Sequence, residues 1–187
     1  ENLISWYLVH RRDLPWMETR DPYKIWLSEI ILQQTRVVQG TSYYLKFINE
    51  FPTVKDLSES SEQKILSLWQ GLGYYSRARN LHAAAKEIIK NNEGVFPSNY
   101  NDLLKLKGVG PYTAAAISSF SFNEAKAVVD GNVFRVLSRI YDVSTPINSS
   151  QGVKDFQELA QSILNKSDPA THNQAIMEFG ALVCTPK

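Results

Sequence analysis

The chain has 187 residues, of which 43% are apolar and 21% are charged, an ordinary composition for a globular protein with one large or two small domains. A formal net charge of +1 is too small to identify a nucleic-acid partner by itself. The single cysteine, Cys184, excludes an internal disulfide. No apolar run reaches membrane-spanning length, so we expect an intracellular protein without a membrane partner.

Apolar residues recur at helical spacing along most of the chain, as in Leu81, Ala84, Ala85 and Ile88. The pattern predicts an all-α protein, in which clusters of glycine and proline mark turns and residues 127–129 form a buried connection rather than a strand. The predicted helices are Leu3–Arg11, Lys24–Thr35, Val38–Asn49, Glu62–Leu68, Ser76–Lys90, Pro111–Ser119, Val133–Tyr141, Gly152–Asn165 and Pro169–Val183.

A glycine hairpin, Gly108-Val109-Gly110, precedes an alanine-rich segment of helical character. A tight turn before a helix presents backbone N–H groups at the positive end of the helix dipole, and glycine lets a phosphate approach the main chain. Pro111 suits the first turn of that helix. The alternative is a plain connection between two helices, in which the glycines serve only the geometry.

Two acidic residues, Glu29 and Asp130, stand among apolar residues. Because burial raises the pKa of a carboxyl group, one of them could act as a general acid while a second, ionised carboxylate stabilises or attacks a cationic sugar. Cleavage of an N-glycosidic bond needs this division of roles. The alternatives are a solvated position on an amphipathic helix for Glu29 and an N-cap of the helix after Asn132 for Asp130.

A series of short motifs extends through the whole chain. They are Pro15-Trp16, Pro22-Tyr23, Trp26–Glu29, Leu32–Thr35, Gly71–Leu81, Leu106–Ala114, Asp130–Val133, Arg135–Leu137 and Gly180–Pro186. Their order and spacing resemble the adenine-specific mismatch DNA glycosylases of the MutY type, within the helix-hairpin-helix, or endonuclease III, superfamily. The resemblance implies a six-helix barrel domain at residues 21–125 and a second helical domain formed by residues 1–20 and 126–187, with the catalytic cleft between them.

The resemblance also implies a catalytic group. Glu29 would protonate adenine and later activate water, Asp130 would stabilise or trap the sugar cation, and Asn132 and Tyr112 would lie close to the sugar. The substrate would be double-stranded DNA with adenine opposite 8-oxoguanine or guanine, bound by a monomer in a bacterial cytoplasm. Endonuclease III-type lyases have a lysine at the position of Tyr112, and a phenol forms no Schiff base, so we expect a monofunctional glycosylase.

Further residues are assigned to DNA by the same resemblance. Gln33, Gln34 and Tyr74 would enter or kink the base stack while the adenine leaves it. Trp16 and Gln174 would line the pocket for the extruded base. Without the resemblance, the glutamines would be interpreted as a polar helix face and Tyr74 as a core residue.

Two metal sites follow from the resemblance. Three hairpin carbonyls, those of Leu104, Leu106 and Val109, would hold an alkali cation that bridges to phosphate. Cys184 would be the first of four cysteine ligands of a 4Fe-4S cluster, of which this sequence contains only one, so a complete cluster is expected only in the full-length protein. The alternative for Cys184 is a small buried apolar residue.

Two other functions stay open at this point. A bifunctional glycosylase and lyase of the endonuclease III type is disfavoured by Tyr112. A DNA-binding remnant without catalytic activity is suggested by the incomplete cluster and by Met17, which stands where the family usually has arginine. Basic residues near the hairpin, such as Arg77 and Lys107, could attract phosphate, although a solvated surface is the ordinary explanation for such charges.

Overall fold

The computed structural model describes residues 2–186, which contain eleven α-helices and no β-strand. The helices are α1 (Asn2–His10), α2 (Pro22–Leu32), α3 (Val37–Glu50), α4 (Val54–Glu59), α5 (Glu62–Trp69), α6 (Ser76–Asn92), α7 (Tyr100–Leu103), α8 (Pro111–Phe122), α9 (Gly131–Ile140), α10 (Ser150–Ile163) and α11 (Pro169–Leu182). The all-α prediction is therefore confirmed. Among these helices none is long and apolar enough to cross a membrane.

Two short helices, α4 and α7, are absent from the prediction because they are stabilised by caps and are too short for a hydrophobic period. Thr53 and Asp56 form a reciprocal capping box at the start of α4. At α7 the Asn99 side chain accepts a hydrogen bond of 3.0 Å from the Asp102 N–H. Each cap satisfies backbone donors that a helix of one turn leaves without internal partners.

The chain divides into two compact units, and the division falls inside α8. The central unit is Leu14–Ile117, and the terminal unit is Glu1–Asp13 with Ser118–Lys187. In the central unit, α2 is apolar on nearly every side and packs against α3 and α6. A helix that is hydrophobic all round belongs in a core. The domain limits predicted at residues 21 and 125 stay a prediction.

The terminal unit is built around α9, α10 and α11, whose core includes Val136, Phe156 and Ile176. Helix α1 packs on α11, and this contact is followed by a bidentate ion pair in which Arg12 donates two hydrogen bonds of 2.7 Å to Glu178. Glu178 is only 2% exposed. A charge buried to this degree needs such pairing, so the ion pair fixes the chain after α1 onto α11.

The connection before α9 is buried, as predicted, and it is held by side chains of α10 and α11, with Gln157 and Gln161 bonded to the Ala127 backbone. Asn173 accepts a hydrogen bond from the Val128 N–H and donates to the Lys126 carbonyl and the Ser119 hydroxyl. Buried backbone groups outside regular structure need such partners. The amide of Asn173 therefore replaces the strand pairing that residues 127–129 lack, and it sets the path of the chain toward Asp130.

The close approach of α11 to α9 depends on Gly180. A Cβ atom added there would lie 2.7 Å from the Asn132 Cβ and 2.8 Å from the Asn132 carbonyl oxygen. We expect Gly180→Ala to lower the free energy of unfolding by about 1–3 kcal/mol, because the helices must separate. Gly131→Ala is the control, since an added Cβ there meets nothing within 4 Å. Urea unfolding of both variants measures the effect, and equal stability of Gly180→Ala and the wild type would contradict it.

Candidate active site and nucleic-acid interface

Glu29 lies in the last turns of α2 and is 8% exposed. The helix begins at Pro22, with Asp21 as N-cap, whose carboxylate accepts a hydrogen bond of 3.0 Å from the Tyr23 N–H. The alternative interpretation of Glu29 as a solvated residue on an amphipathic helix is therefore wrong. A carboxyl group that water reaches poorly is suited to proton transfer in a catalytic site.

The end of α2 brings the two predicted DNA-contacting glutamines into different environments. Gln33 donates a long hydrogen bond of 3.4 Å to the Thr113 hydroxyl on α8, which links the end of α2 to the helix after the hairpin. Gln34 is exposed and has a left-handed backbone with φ 55°. Helix α2 ends at Leu32, so Gln34 does not lie on a polar helix face.

Tyr74 lies in the loop before α6 and is 70% exposed, so its interpretation as a core tyrosine is wrong. Its backbone is left-handed, with φ 46°, a conformation that costs a residue with a side chain about 1–2 kcal/mol. The preceding Gly73 carbonyl accepts a hydrogen bond of 2.9 Å from the Trp69 indole. The loop is therefore held firmly while it presents an aromatic ring to solvent.

The hairpin contains two glycines with different structural requirements. Gly108 has φ 78°, and a Cβ added there would lie 2.7 Å from the Asn80 Cβ. Gly110 is exposed, and a Cβ added there would meet nothing within 4 Å. The fold therefore requires glycine at position 108 only. At position 110 the missing side chain leaves an open approach to the backbone at the start of α8.

Asp130 is the N-cap of α9 and a candidate catalytic carboxylate at the same time. Its Oδ1 accepts a hydrogen bond of 2.8 Å from the Val133 N–H, and its Oδ2 accepts one of 2.7 Å from the Asn132 amide. Burial raises the pKa of Asp130 above its ordinary value, while these hydrogen bonds and the charge of Arg135 act in the opposite direction. The capping interpretation is confirmed, and it leaves the catalytic one open.

Arg135 extends this hydrogen-bond chain to the other end of the terminal unit. It donates 2.8 Å to the Asn132 side-chain oxygen and 2.6 Å to the Gly180 carbonyl, and it also donates to the Cys184 carbonyl. The Asn132 amide is thus oriented by Arg135 so that its NH₂ group faces Asp130. This fixed orientation provides the anion of Asp130 with a donor in place before any substrate binds.

Three other predicted residues have the following surroundings. Trp16 is 9% exposed and packs edge-on against Tyr44, with 5.4 Å between ring centroids. Gln174 accepts a hydrogen bond of 2.9 Å from the Tyr7 hydroxyl. Tyr112 lies half-buried in the first turn of α8.

The predicted site residues are shared between the two units. The central unit contains Glu29, the glutamine pair, Tyr74, Trp16, Tyr112 and the hairpin. Within this unit, Gln33 is hydrogen-bonded to Thr113 on α8, the helix that follows the hairpin. Asp130, Asn132, Gln174 and Cys184 belong to the terminal unit, where Asp130 and Asn132 are in direct contact.

Cys184 is half-buried, and its Sγ accepts a hydrogen bond of 3.1 Å from Arg139. It also packs against the hydrophobic core of the terminal unit, so the alternative interpretation as a small apolar residue stays open. Between residues 2 and 186 no group of three or more His, Cys, Asp or Glu side chains is placed to hold a metal ion. A 4Fe-4S cluster needs four ligands, so the residues described here do not form its site.

Sequence reasoning missed the structural role of Arg77, which it treated as one of several basic surface residues. The Arg77 guanidinium donates to the carbonyl oxygens of five residues, those of Ile30, Ile31, Gln33, Leu72 and Gly73. The available signal is that the last turn of α2 contains no basic residue and no glycine follows it, so its carbonyl groups need a donor from elsewhere.

The structure thus combines an all-helical fold, a glycine hairpin before α8, a buried glutamate and a capping aspartate. A family model described as HhH-GPD superfamily base excision DNA repair protein matches residues 27–165. The chain belongs to this superfamily, and the predicted family relationship and fold are confirmed.

Relatives within the superfamily are more specific. The chain is 43% identical over 185 residues to the adenine DNA glycosylase of Buchnera aphidicola subsp. Baizongia pistaciae, covering 98% of this chain and 52% of the relative. It is 41% identical over 195 residues to the adenine DNA glycosylase of Rattus norvegicus, covering 100% and 38%. The chain thus spans about half or less of the length of these curated relatives.

Among solved structures, a thermostable thymine-DNA glycosylase superposes with a TM-score of 0.90 and 31% identity, covering 99% of this chain and 85% of the other. Its substrate base differs from that of the curated relatives. The shared fold therefore does not decide which base is removed, and specificity has to be sought in individual residues.

The buried state of Asp130 predicts how stability depends on pH. Because burial raises its folded-state pKa above the ordinary value of 3.8, the folded protein binds the proton more tightly than the unfolded chain does. The contribution of Asp130 to stability is therefore fully present below the unfolded-state pKa, and it is lost as the pH rises from the unfolded-state pKa through the folded-state pKa. We expect the free energy of unfolding of Asp130→Asn, relative to wild type, to increase with pH above 3.8 and then to become constant.

Urea unfolding from about pH 4 to about pH 8 measures this difference. Part of the difference in the free energy of unfolding does not depend on pH, because the variant loses the hydrogen bond from Asn132 at every pH. Only the pH-dependent part of the difference therefore tests the prediction. Asp21→Asn, a change at the exposed N-cap of α2, provides the baseline. A difference for Asp130→Asn that has no more pH dependence than this baseline would refute the expected effect of burial.

Proposed function

We propose that this chain is the catalytic region of a monofunctional adenine DNA glycosylase, which hydrolyses the N-glycosidic bond of adenine opposite 8-oxoguanine or guanine in double-stranded DNA. The observation that carries the proposal is the pair of shielded carboxylates, Glu29 and Asp130, in a chain about 40% identical to adenine DNA glycosylases over almost its whole length. The protein acts as a monomer in the cytoplasm of a bacterium.

Glu29 protonates the adenine, which turns the base into a better leaving group, and then activates the attacking water. The deoxyribose acquires positive charge as the bond breaks. Asp130 faces two N–H donors, an arrangement that suits its anionic form, and it stabilises this cation by charge or by a transient covalent bond. Asn132 orients Asp130, and Tyr112 lies beside the sugar.

DNA binding is assigned to the hairpin and to the exposed residues of the central unit. Backbone N–H groups of Gly108 and Gly110 bind a phosphate at the start of α8, and the carbonyls of Leu104, Leu106 and Val109 hold an alkali cation. The Leu106 carbonyl already accepts a hydrogen bond from Val109 and keeps one lone pair for such an ion.

Exposed side chains of the central unit act on the base stack. Gln34 and Tyr74 enter or kink the duplex, and Gln33 supports them from its contact with Thr113. Trp16 and Gln174 contact the adenine that base flipping has taken out of the stack.

The chemistry of Tyr112 favours a simple glycosylase over a lyase, because a phenol forms no Schiff base with the sugar. Cys184 would supply one thiolate to a 4Fe-4S cluster, and it is the single cysteine of this sequence. The proposed excision does not use the cluster in any step.

Glu29→Gln tests the proposal directly. The variant keeps the size of the side chain but cannot donate the carboxyl proton, so we expect single-turnover excision of adenine opposite 8-oxoguanine to fall by about 10²–10⁴-fold. Strand breaks are scored with and without alkali, since a monofunctional enzyme leaves an abasic site that alkali then cleaves. Glu59→Gln, an exposed change in a surface ion pair with Lys55, is the matched control.

Each result has a separate meaning. Alkali-dependent breaks that are lost in Glu29→Gln and kept in Glu59→Gln support the proposal. Breaks without alkali would instead indicate a lyase. Tight binding of the duplex without any excision by the wild-type chain would indicate the DNA-binding remnant.

The two hairpin glycines separate DNA binding from stability. We expect Gly110→Ala to weaken binding of the adenine·8-oxoguanine duplex by about tenfold, because a methyl group obstructs a phosphate at the backbone, and to change stability by less than about 1 kcal/mol. Gly108→Ala is the contrast, with a loss of stability of about 1–2 kcal/mol or more from its left-handed backbone. Fluorescence anisotropy and thermal unfolding measure both effects. Unchanged affinity of Gly110→Ala would exclude the backbone contact.

A further inference from the structure

One guanidinium group joins the two exposed turns of the central unit. Arg77 extends from α6, and its Nη1 donates to the carbonyl oxygens of Ile30 and Gln33 at the end of α2, at 2.9 Å for Ile30. Its Nη2 donates to the carbonyls of Leu72 and Gly73, at 3.2 and 3.3 Å. The two nitrogens of the same planar group therefore hold two chain segments that lie some forty residues apart in sequence.

Two of the bound carbonyls belong to the peptides directly before the exposed residues Gln34 and Tyr74. The Gln33 carbonyl belongs to the peptide that leads into Gln34, and the Gly73 carbonyl belongs to the peptide that leads into Tyr74. Gln34 and Tyr74 both have left-handed backbones, with φ 55° and 46°. Arg77 thus fixes the orientation of the peptide plane immediately before each of these unfavourable conformations.

The guanidinium also contacts the aromatic side chains of the loop. It lies over the Trp69 ring at 5.1 Å and over the Tyr74 ring at 5.8 Å from the centroids. Both the backbone before Tyr74 and its ring are therefore positioned by Arg77. Lysine cannot reproduce this arrangement, because an ammonium group lacks the planar fork and the stacking surface.

We propose that Arg77 is a positioning residue that aligns Gln34 and Tyr74 as a single wedge for extruding the target base from the duplex. The inference rests on the proposed function, since it assigns to these two side chains a joint action on the base stack. Arg77 itself contacts neither base nor sugar and acts through the two turns. Its loss separates the wedge into two independently moving parts, which lowers extrusion more than duplex binding.

A double-mutant cycle tests the proposal. Arg77→Lys is measured alone and in the background Gln34→Ala/Tyr74→Ala, with single-turnover excision of adenine opposite 8-oxoguanine as the readout. We expect a loss of about tenfold or more in the wild-type background, since a misplacement of about 1 Å can cost on the order of a hundredfold. In the background without the wedge side chains we expect a loss of less than about threefold.

A purely structural role gives a different result, because general loosening of the fold lowers excision equally in both backgrounds. An equal loss would therefore overturn the proposal. Arg79→Lys is the matched control, because Arg79 lies on the same helix in an exposed ion pair with Glu62, and we expect excision close to wild type. Thermal unfolding of each variant shows whether the fold is kept.

The second readout is 2-aminopurine at the target position, whose fluorescence rises when the base leaves the stack. We expect Arg77→Lys to bind this duplex with near wild-type affinity but with a smaller rise in fluorescence. This experiment needs no excision, so it separates the two hypotheses: a wild-type chain that extrudes the base without cleaving it contradicts the proposed function alone. Equal fluorescence for wild type and Arg77→Lys contradicts the role of Arg77.

Discussion

The last turn of α2 contains no basic residue, and the structure of the candidate site depends on how its carbonyl groups are satisfied. The guanidinium of Arg77 serves this purpose, and a cation at this end also suits the helix dipole. The contact thereby fixes the turn that presents Gln34, while the burial of Glu29 follows from the packing of α2, which is buried along most of its length.

In the terminal unit, Asp130 has a structural and a proposed catalytic role at the same time. As an N-cap it satisfies the Val133 N–H, and as a partly buried carboxylate it is kept at a raised pKa. The cap holds the carboxylate in one orientation, and the Asn132 amide, oriented by Arg135, holds its second oxygen. The structural and the catalytic interpretations of Asp130 therefore do not compete, since the cap geometry itself provides the preorganisation that catalysis needs.

The sequence was sufficient for the helical fold, the long helices and the family, because these depend on periodicity and on motifs of many residues. It could not decide the environment of Tyr74, for which a core position was an open alternative, since exposure depends on neighbours distant in the chain. The role of Arg77 was missed because its partners are backbone carbonyls: the lack of a basic residue in the last turn of α2 indicates that a donor is needed, but it does not indicate which residue supplies it. Helices α4 and α7 were missed because they are stabilised by local caps and have only six and four residues, too few for an apolar period to repeat.

The unfavourable backbone conformations show where the fold departs from local preference. Among residues 2–186, four of the five non-glycine residues with positive φ, Gln34, Glu93, Asn123 and Asp142, lie one or two residues after a helix end, where this conformation is common. Tyr74 instead precedes a helix. Local rules tend to be broken at functional sites, provided that the surroundings enforce the conformation. Arg77 binds the peptide before Gln34 and the peptide before Tyr74, so the two turns depend on the same side chain.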